Sequence, residues 1–412
     1  MVTPKLPAQP EINIGTAGHV DHGKTTLIQG LTGVWAARHS EELRRGITIR
    51  LGYADTAFYK CPSCPPPSCY STSPKCPNCG SETEFLRAVS FVDCPGHEVL
   101  MTTMLSGAAV MDGAILVVAA DQPVPQPQTR EHMAALEIVG VKNIVVVQNK
   151  IDLVSREQAL ENYRQIKKFL EGTIAEEAPI IPVSAQHMVN LDLLIQAIEE
   201  YIPTPSRDPA KPPFMHVVRS FDINKPGTKA EDLVGGVLGG TIVEGKLRVG
   251  DEIEIKPGIR KPKKQDYESL YTWIASLHAG GKSVNEVGCG GLVGVGSKLD
   301  PALTKADGLI GNVVGKPNQL PETKKDLLIE AFLFEHAIGT VELTKVDTIK
   351  RGEILVINVG TAVSTGVVTD TKKDLFEVNL KKPVCAKENS RVALSRRIAG
   401  KWRLIGYGII KN

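Results

Sequence analysis

The sequence predicts an α/β domain, a parallel sheet covered by helices on both faces, followed by two antiparallel β-barrels. Strand-like and helix-like stretches alternate from residue 11 to about 203, as β-α-β units require. A stiff proline-rich stretch follows, Ile202-Pro203-Thr204-Pro205-Ser206-Arg207-Asp208-Pro209 and Lys211-Pro212-Pro213. Beyond it, short strand patterns punctuated by glycine replace helical periodicity, as in barrels.

Glu11 to Thr16 reads as a strand and Thr26 to Leu31 as the opening of a helix. Ala88 to Val92 reads as a strand and Glu98 to Met111 as an amphipathic helix. Ala114 to Ala120 is an apolar run suited to a buried parallel strand. Helices are then expected at Thr129 to Val139, Glu157 to Leu170 and Leu191 to Tyr201, and strands at Asn143 to Gln148 and Ile180 to Val183. The first barrel should use Met215 to Ile223, Gly236 to Val243, Lys246 to Arg248 and Glu252 to Lys256. A second break falls near Pro321 to Asp326. The second barrel should use Leu327 to Phe334, Glu353 to Val359, Ala362 to Thr369, Leu375 to Leu380, Arg391 to Leu394 and Trp402 to Ile410. The expected domains are 1–205, 206–323 and 324–412, with a Cys-rich insertion at about 58–84.

The 412 residues suit two or three domains, and the 42% hydrophobic and 23% charged content is that of an ordinary globular chain. No run approaches the roughly 20 apolar residues of a membrane span, so no membrane contact is expected. Met1 to Pro10 has no apolar core and does not read as a secretory signal. A net charge of only +2 excludes a globally basic nucleic-acid binder and leaves local patches for that role. Four of the eight cysteines form two Cys-x-x-Cys pairs, which points to a metal in a reducing compartment, with the cytoplasm as default.

Gly18-His19-Val20-Asp21-His22-Gly23-Lys24-Thr25 fits the phosphate-loop pattern. Backbone N–H groups must turn inward around phosphate oxygens, so Gly18 and Gly23 sit where a Cβ would obstruct the turn. Asp21, His22, Gly23, Lys24, Thr25 and Thr26 are the candidate phosphate-binding residues. Lys24 offers charge to the β/γ-phosphates and Thr25 a hydroxyl to Mg²⁺, while His19 and His22 otherwise shape the loop. In Asp93-Cys94-Pro95-Gly96-His97 an Asp at a strand end can reach Mg²⁺ through water, and Gly96 can turn its N–H to a γ-phosphate. Arg44-Arg45-Gly46-Ile47-Thr48-Ile49 lies between these motifs, and Thr48 can complete the Mg²⁺ shell. In Asn149-Lys150-Ile151-Asp152 the Asp152 carboxylate can accept from two guanine donors that adenine lacks. Asn149 can bridge base and loop, the Lys150 stem can cover the base, and Ser184-Ala185-Gln186 can donate a backbone N–H to guanine O6. The fold class is therefore an α/β P-loop GTPase domain followed by two antiparallel β-barrel domains.

Cys61, Cys64, Cys76 and Cys79 have the spacing of a closed tetrahedral Zn²⁺ site, with a disulfide pair as the rival. Cys69 between them is either a substitute ligand or a bystander. Cys94, Cys289 and Cys385 read as isolated core residues, and Trp273, Trp402 and Tyr407 as barrel core.

Together, Gly-His-Val-Asp-His-Gly-Lys-Thr, Arg-Gly-Ile-Thr and Asp-Cys-Pro-Gly-His resemble the translational GTPases, including elongation factor Tu. The gamma-subunit family of archaeal and eukaryotic translation initiation factor 2 is the closer match, over nearly the whole chain. Its marks include Ile47 to Ala54, the Cys-rich insertion, Pro125 to Thr129, Arg219 to Gly227, Gly294 to Pro301 and Trp402 to Gly406. The resemblance implies a GTP-dependent carrier of methionylated initiator tRNA. It would form a heterotrimer with alpha and beta subunits and deliver the tRNA to the small ribosomal subunit. It implies Mg²⁺ on Thr25 and Thr48, with Asp93 reaching it through water, and Zn²⁺ in the insertion. His97 would position the attacking water behind an apolar gate of Val20 and Ile47. Asp21 departs from the Ala of eukaryotic members. The implied activity is GTP hydrolysis to GDP, catalysed by Lys24, Thr48 and His97 and slow without an activator. A specialised elongation factor carrying selenocysteinyl-tRNA is the rival within the class.

Overall fold

The computed structural model describes residues 5–36, 48, 51–97, 100–261, 266–338 and 344–411. The chain divides between Pro205 and Ser206 into two compact units.

The first unit is built on seven strands: β1 Ile12–Ala17, β2 Gly52–Lys60, β3 Tyr70–Ser71, β4 Glu84–Asp93, β5 Gly113–Ala119, β6 Asn143–Asn149 and β7 Ile180–Pro182. Their order is β3-β2-β4-β1-β5-β6-β7. β4, β1, β5, β6 and β7 run parallel. The expected all-parallel sheet needs one correction, because β2 runs antiparallel to β4. β2 and β4 are consecutive arms leading into and out of the Cys-rich insertion, and a direct return fixes the antiparallel sense. Strict alternation hides this strand, since Ala57, Phe58 and Tyr59 are buried in succession.

The helices are α1 Lys24–Thr32, α2 Met101–Ala108, α3 Pro127–Val139, α4 Arg156–Leu170 and α5 Leu191–Tyr201. α2 is shorter than the expected Glu98 to Met111 span, and residues 98–99 lie outside the described residues. Leu27, Ile28 and Leu31 of α1 join Leu194, Ile195 and Ile198 of α5 in one core with Ile12 and Ile14. Residues between those positions face the other way, where Gly15 lies against Met111 just past α2. Ser155 starts α4 through a capping box, accepting from Gln158 N at 3.3 Å while Gln158 Oε1 accepts from Ser155 N at 2.9 Å.

The second unit contains two closed six-stranded barrels. The first uses β8 Phe214–Phe221, β9 Val237–Glu244, β11 Glu252–Arg260, β12 Tyr267–Ala279, β15 Val293–Ser297 and β16 Val313–Gly315. β10 Leu247–Arg248 and β14 Glu286–Val287 form a small separate ribbon, and β13 Lys282–Val284 extends β12. The second barrel is β17 Thr323–Ile338, β18 Ile354–Val359, β19 Ala362–Lys372, β20 Leu375–Cys385, β21 Arg391–Ile398 and β22 Lys401–Lys411.

Two aromatic assignments require correction. Trp273 and Trp402 are not core: they are 50% and 37% exposed. Trp273 sits between buried Thr272 and Ile274, so the period-two alternation of β12 turns it outward. Tyr407 is half-buried and stacks on Phe332, with ring centroids 4.9 Å apart. Among the described residues, no helix is long and apolar enough to cross a membrane.

Candidate nucleotide site and metal centre

The phosphate loop joins β1 to α1. Gly23 has φ +88, and a Cβ there would stand 2.3 Å from Asn149 Nδ2. Both the backbone angle and the packing therefore require glycine. Lys24 is buried, and its Nζ folds back to donate to the carbonyls of Gly18 (2.9 Å) and His19 (2.6 Å). Burial lowers its pKa to about 8, against the raising influence of Asp93.

Asp93 at the end of β4 is completely buried. Thr16 Oγ1 donates to its Oδ1 at 3.1 Å, and Thr25 Oγ1 to its Oδ2 at 2.6 Å. Thr48 Oγ1 lies 3.4 Å from the same Oδ2 and 3.1 Å from Thr25 Oγ1. Burial raises the Asp93 carboxyl, and the Thr25 hydroxyl and Lys24 oppose that. Thr25, Thr48 and Asp93, far apart in sequence, thus converge on one point. They are three hard oxygen donors beside a phosphate loop, the donor set that Mg²⁺ prefers. A Cβ on Gly96 would meet Lys24 Nζ at 2.5 Å and Val20 N at 3.0 Å, so the Asp93–His97 segment packs directly on the loop. His97 is exposed, Val20 half-buried and Asp21 exposed at φ +60, while Thr26 is half-buried on α1. Ile47, with Arg44 to Gly46, lies outside the described residues.

The base side is tied to the same loop. Asn149 Nδ2 donates to His22 O at 2.8 Å, and its Oδ1 accepts from Ala185 N at 3.0 Å. Lys150 adopts φ +63 and its Nζ lies 3.6 Å from Asp121 Oδ2. The Ser184 hydroxyl holds the Asp152 carboxyl below its ordinary range, assisted by His187 and Lys150. Ser184 and Ala185 are buried, and Gln186 is exposed.

Two loop supports have no counterpart in the motifs. His132 on α3, fully buried, accepts the Gly18 N–H at Nδ1 (2.9 Å), and burial keeps it neutral by lowering its pKa well below the usual value. Thr16 is the other. His22 is also buried, with Nδ1 3.1 Å from Val117 O and Nε2 3.2 Å from Gln122, and burial lowers it to about 4.

In the insertion, the Sγ atoms of Cys61, Cys64, Cys76 and Cys79 lie within 4.8 Å of one another. Cys61 and Cys79 sulfurs are 3.5 Å apart, and those of Cys64 and Cys76 3.7 Å. Four sulfurs bound at about 2.3 Å to one zinc ion stand about 3.8 Å apart, which these spacings match. All eight cysteines are free, so the rival disulfide is not formed. Ser81 lowers the Cys79 thiol to about 6 through its hydroxyl and backbone N–H, whereas Cys79 and Cys76 push Cys64 up to about 12. Four sulfurs this close suit a cation such as zinc, which would draw off the thiol protons and hold all four as thiolates. Cys69 is buried outside the group, and its carbonyl accepts from Cys61 N at 2.8 Å. Cys94 and Cys385 are buried and Cys289 half-buried, apart from any cluster.

Comparison with known proteins places this geometry in a family. Residues 9–204 match the elongation factor Tu GTP binding domain, and residues 325–410 match the C-terminal domain of initiation factor eIF2 gamma. Translation initiation factor 2 subunit gamma of Pyrococcus abyssi is 62% identical over 406 residues, covering 98% of both chains. The chain belongs to the gamma-subunit family of translation initiation factor 2. The Methanothermobacter thermautotrophicus member is also 62% identical, covering 98% of this chain and 99% of its own. The Methanocaldococcus jannaschii member is 57% identical across the whole of both chains. As in this family, the chain is a translational GTPase, with a GTP-binding domain followed by two barrels. The fold is also that of a bacterial selenocysteine-specific elongation factor (TM-score 0.74, 23% identity), of which this chain spans 58% while 98% of this chain is covered. The elongation factor SelB of Methanococcus maripaludis, solved with a GTP analogue, gives a TM-score of 0.72 at 22% identity, with 99% of this chain and 80% of that one covered.

Proposed function

We propose that this chain, loaded with GTP, carries methionylated initiator tRNA to the small ribosomal subunit in the cytoplasm, as the core of a heterotrimer with alpha and beta subunits. GTP hydrolysis is the release switch. The observation that carries the reading is the convergence of Thr25 and Thr48 on Asp93, because it joins the phosphate loop to the two segments able to sense a γ-phosphate. Lys24 binds the β/γ-phosphates, with Asp21, His22, Gly23 and Thr26 completing the cradle and the Gly96 N–H meeting the γ-phosphate. Thr25 and Thr48 ligate Mg²⁺, and Asp93 reaches it through water. That ion supplies charge neutralisation for phosphoryl transfer. His97 orients the attacking water. Asp152 reads the guanine edge, the Lys150 stem covers the base, and Ser184, Ala185 and Gln186 present a backbone N–H to guanine O6. Cys61, Cys64, Cys76 and Cys79 hold Zn²⁺, which orders an insertion too polar to form its own core.

Domains then run 1–205, 206–323 and 324–412. Binding of GTP and of tRNA is reciprocal, with coupling on the order of 1–3 kcal/mol. The test is binding of methionylated initiator tRNA by the GTP and GDP forms, with and without the alpha subunit. Tighter binding in GTP supports the reading, and equal affinity in both nucleotides and both formats overturns it. Equal binding of elongator tRNAs would convert the protein to an elongation-type carrier.

A further inference from the structure

The two barrels enclose a groove of about 720 Å³, large enough for a short peptide segment. Its walls come from the ends of β11 and β12 on one side and from β18, β19 and β20 on the other. Two chemistries share the lining. Arg260, Lys325, Lys381 and Lys382 are cations, and among the described residues no carboxylate belongs to the lining. Ile354 and Val367 are aliphatic and expose 56% and 46% of their surface, and Val363 beside them exposes 38%.

The three lysines are not neutralised by ion pairs within the described residues. Among the described residues, Lys325, Lys381 and Lys382 make no ion pair. Lys382 Nζ donates only to the Ile310 carbonyl, at 3.2 Å, and its partial burial lowers its pKa. The nearby Asp326 carboxylate accepts from Asn379 Nδ2 at 2.6 Å. Three unpaired ammonium groups gathered in one concavity are mutually repulsive, and an anionic partner relieves that.

We propose that this inter-barrel groove is a docking site for an acidic, aliphatic peptide segment of a partner protein. The choice of peptide over RNA follows from the lining. Exposed aliphatic side chains beside the cations have no complement in a phosphate backbone, and among the described lining residues Tyr267 is the one aromatic, too little for a platform on which successive bases stack. A peptide alternating Glu or Asp with Leu or Ile satisfies both chemistries, carboxylates on the lysines and aliphatic groups on Ile354, Val363 and Val367. The segment binds through side chains and not by strand addition, because β19 is already paired on both sides, to β18 and β20. The proposal does not depend on the nucleotide or tRNA reading.

The test uses the full chain and a fluorescein-labelled peptide Glu-Leu-Asp-Ile-Glu-Leu-Asp, titrated by anisotropy in low salt. Controls are the same peptide with Ser replacing Leu and Ile, and a labelled oligouridylate. The expected result is saturable binding of the first peptide, weakened at least about tenfold by Lys325→Glu with Lys381→Glu, two exposed positions whose change leaves the barrel core intact. Val363→Ser with Val367→Ser should also weaken it, and GDP binding should be unchanged in both variants. No saturation at millimolar peptide overturns the proposal. So does unchanged affinity in the lysine double variant, equal binding of the serine peptide, or tighter binding of the oligouridylate.

Discussion

Asn149 is the brace between the phosphate loop and the base loop, and its removal gives a prediction with a built-in control. Its amide makes two bonds, to His22 O and from Ala185 N, and the side chain is 2% exposed. Asn149→Ala leaves a carbonyl and an N–H unpaired in the interior, at about 1–3 kcal/mol each. The expected loss is therefore roughly 2–6 kcal/mol in the first unit. Gly23→Ala should reach the same amide by another route. Its new Cβ would lie 2.3 Å from Asn149 Nδ2, so the amide must move and both bonds break. It also adds about 1–2 kcal/mol for a left-handed L-residue. In the double variant the Asn149 bonds are lost once, not twice, so the two costs do not add. The cycle should show a coupling of about 2 kcal/mol or more, well beyond the ~0.5 kcal/mol scatter of independent sites. Hydrogen exchange of the buried β1 and β6 amides reads this unit alone. GDP and GTP affinities should fall by the same factor in Asn149→Ala, because the brace lies away from the γ-phosphate sensors. Additive costs, or a loss confined to GTP, would refute the brace.

Asp152→Asn should weaken GTP and GDP together and shift preference toward xanthine nucleotides, as competition binding would read; unchanged guanine selectivity sinks the assignment. Metal analysis should find about one Zn²⁺ per chain. It should be lost in Cys61→Ser with Cys76→Ser and kept in Cys69→Ser, and the reverse pattern means another ligand set. Lys24 gives a pH signature. Its folded pKa of about 8 lies below the ordinary 10.5, so the unfolded chain binds more protons between those values. Stability of the nucleotide-free protein therefore rises with pH through that window. Phosphates beside Nζ restore the proton, so GTP binding above pH 8 should take up protons in calorimetry run in buffers of different ionisation enthalpy. No buffer dependence there contradicts the buried-lysine account.

How much of this was legible depended on the range of the contact. The phosphate loop, the Asp93 segment and the Asn149 segment were readable because each is a local turn fixed by a few adjacent residues. The β5 and β6 strands were readable because an uninterrupted apolar run means burial on both faces. β2 was not, since its polar Asp55 and Thr56 break the run while Ala57 to Tyr59 break the alternation. Thr16 and His132 were invisible for a different reason: they meet Asp93 and Gly18 across 77 and 114 residues, and nothing local marks them. Trp273 and Trp402 show the limit of residue type as a guide, because the register of a barrel strand decides which face a large aromatic occupies.

The Asp93 cluster also explains where sensitivity to the nucleotide should reside. Thr16, Thr25 and Asp93 sit on β1, α1 and β4, elements rooted in the main core, and their contacts to the carboxylate are 3.1 and 2.6 Å. Among the described residues, Thr48 meets Asp93 at 3.4 Å and Thr25 at 3.1 Å. A hydroxyl that donates to Asp93 keeps its lone pairs free, so Thr25 can offer oxygen to a cation without giving up its carboxylate bond. Thr48 donates to the same carboxylate oxygen at 3.4 Å, a longer and weaker contact than the 2.6 Å of Thr25. Of the three donors it is the one with the longest contacts to the others. We propose that Thr48, more than the Thr25–Asp93 pair, is the position at which a γ-phosphate and its metal are sensed, because its contacts to that pair are the longer ones.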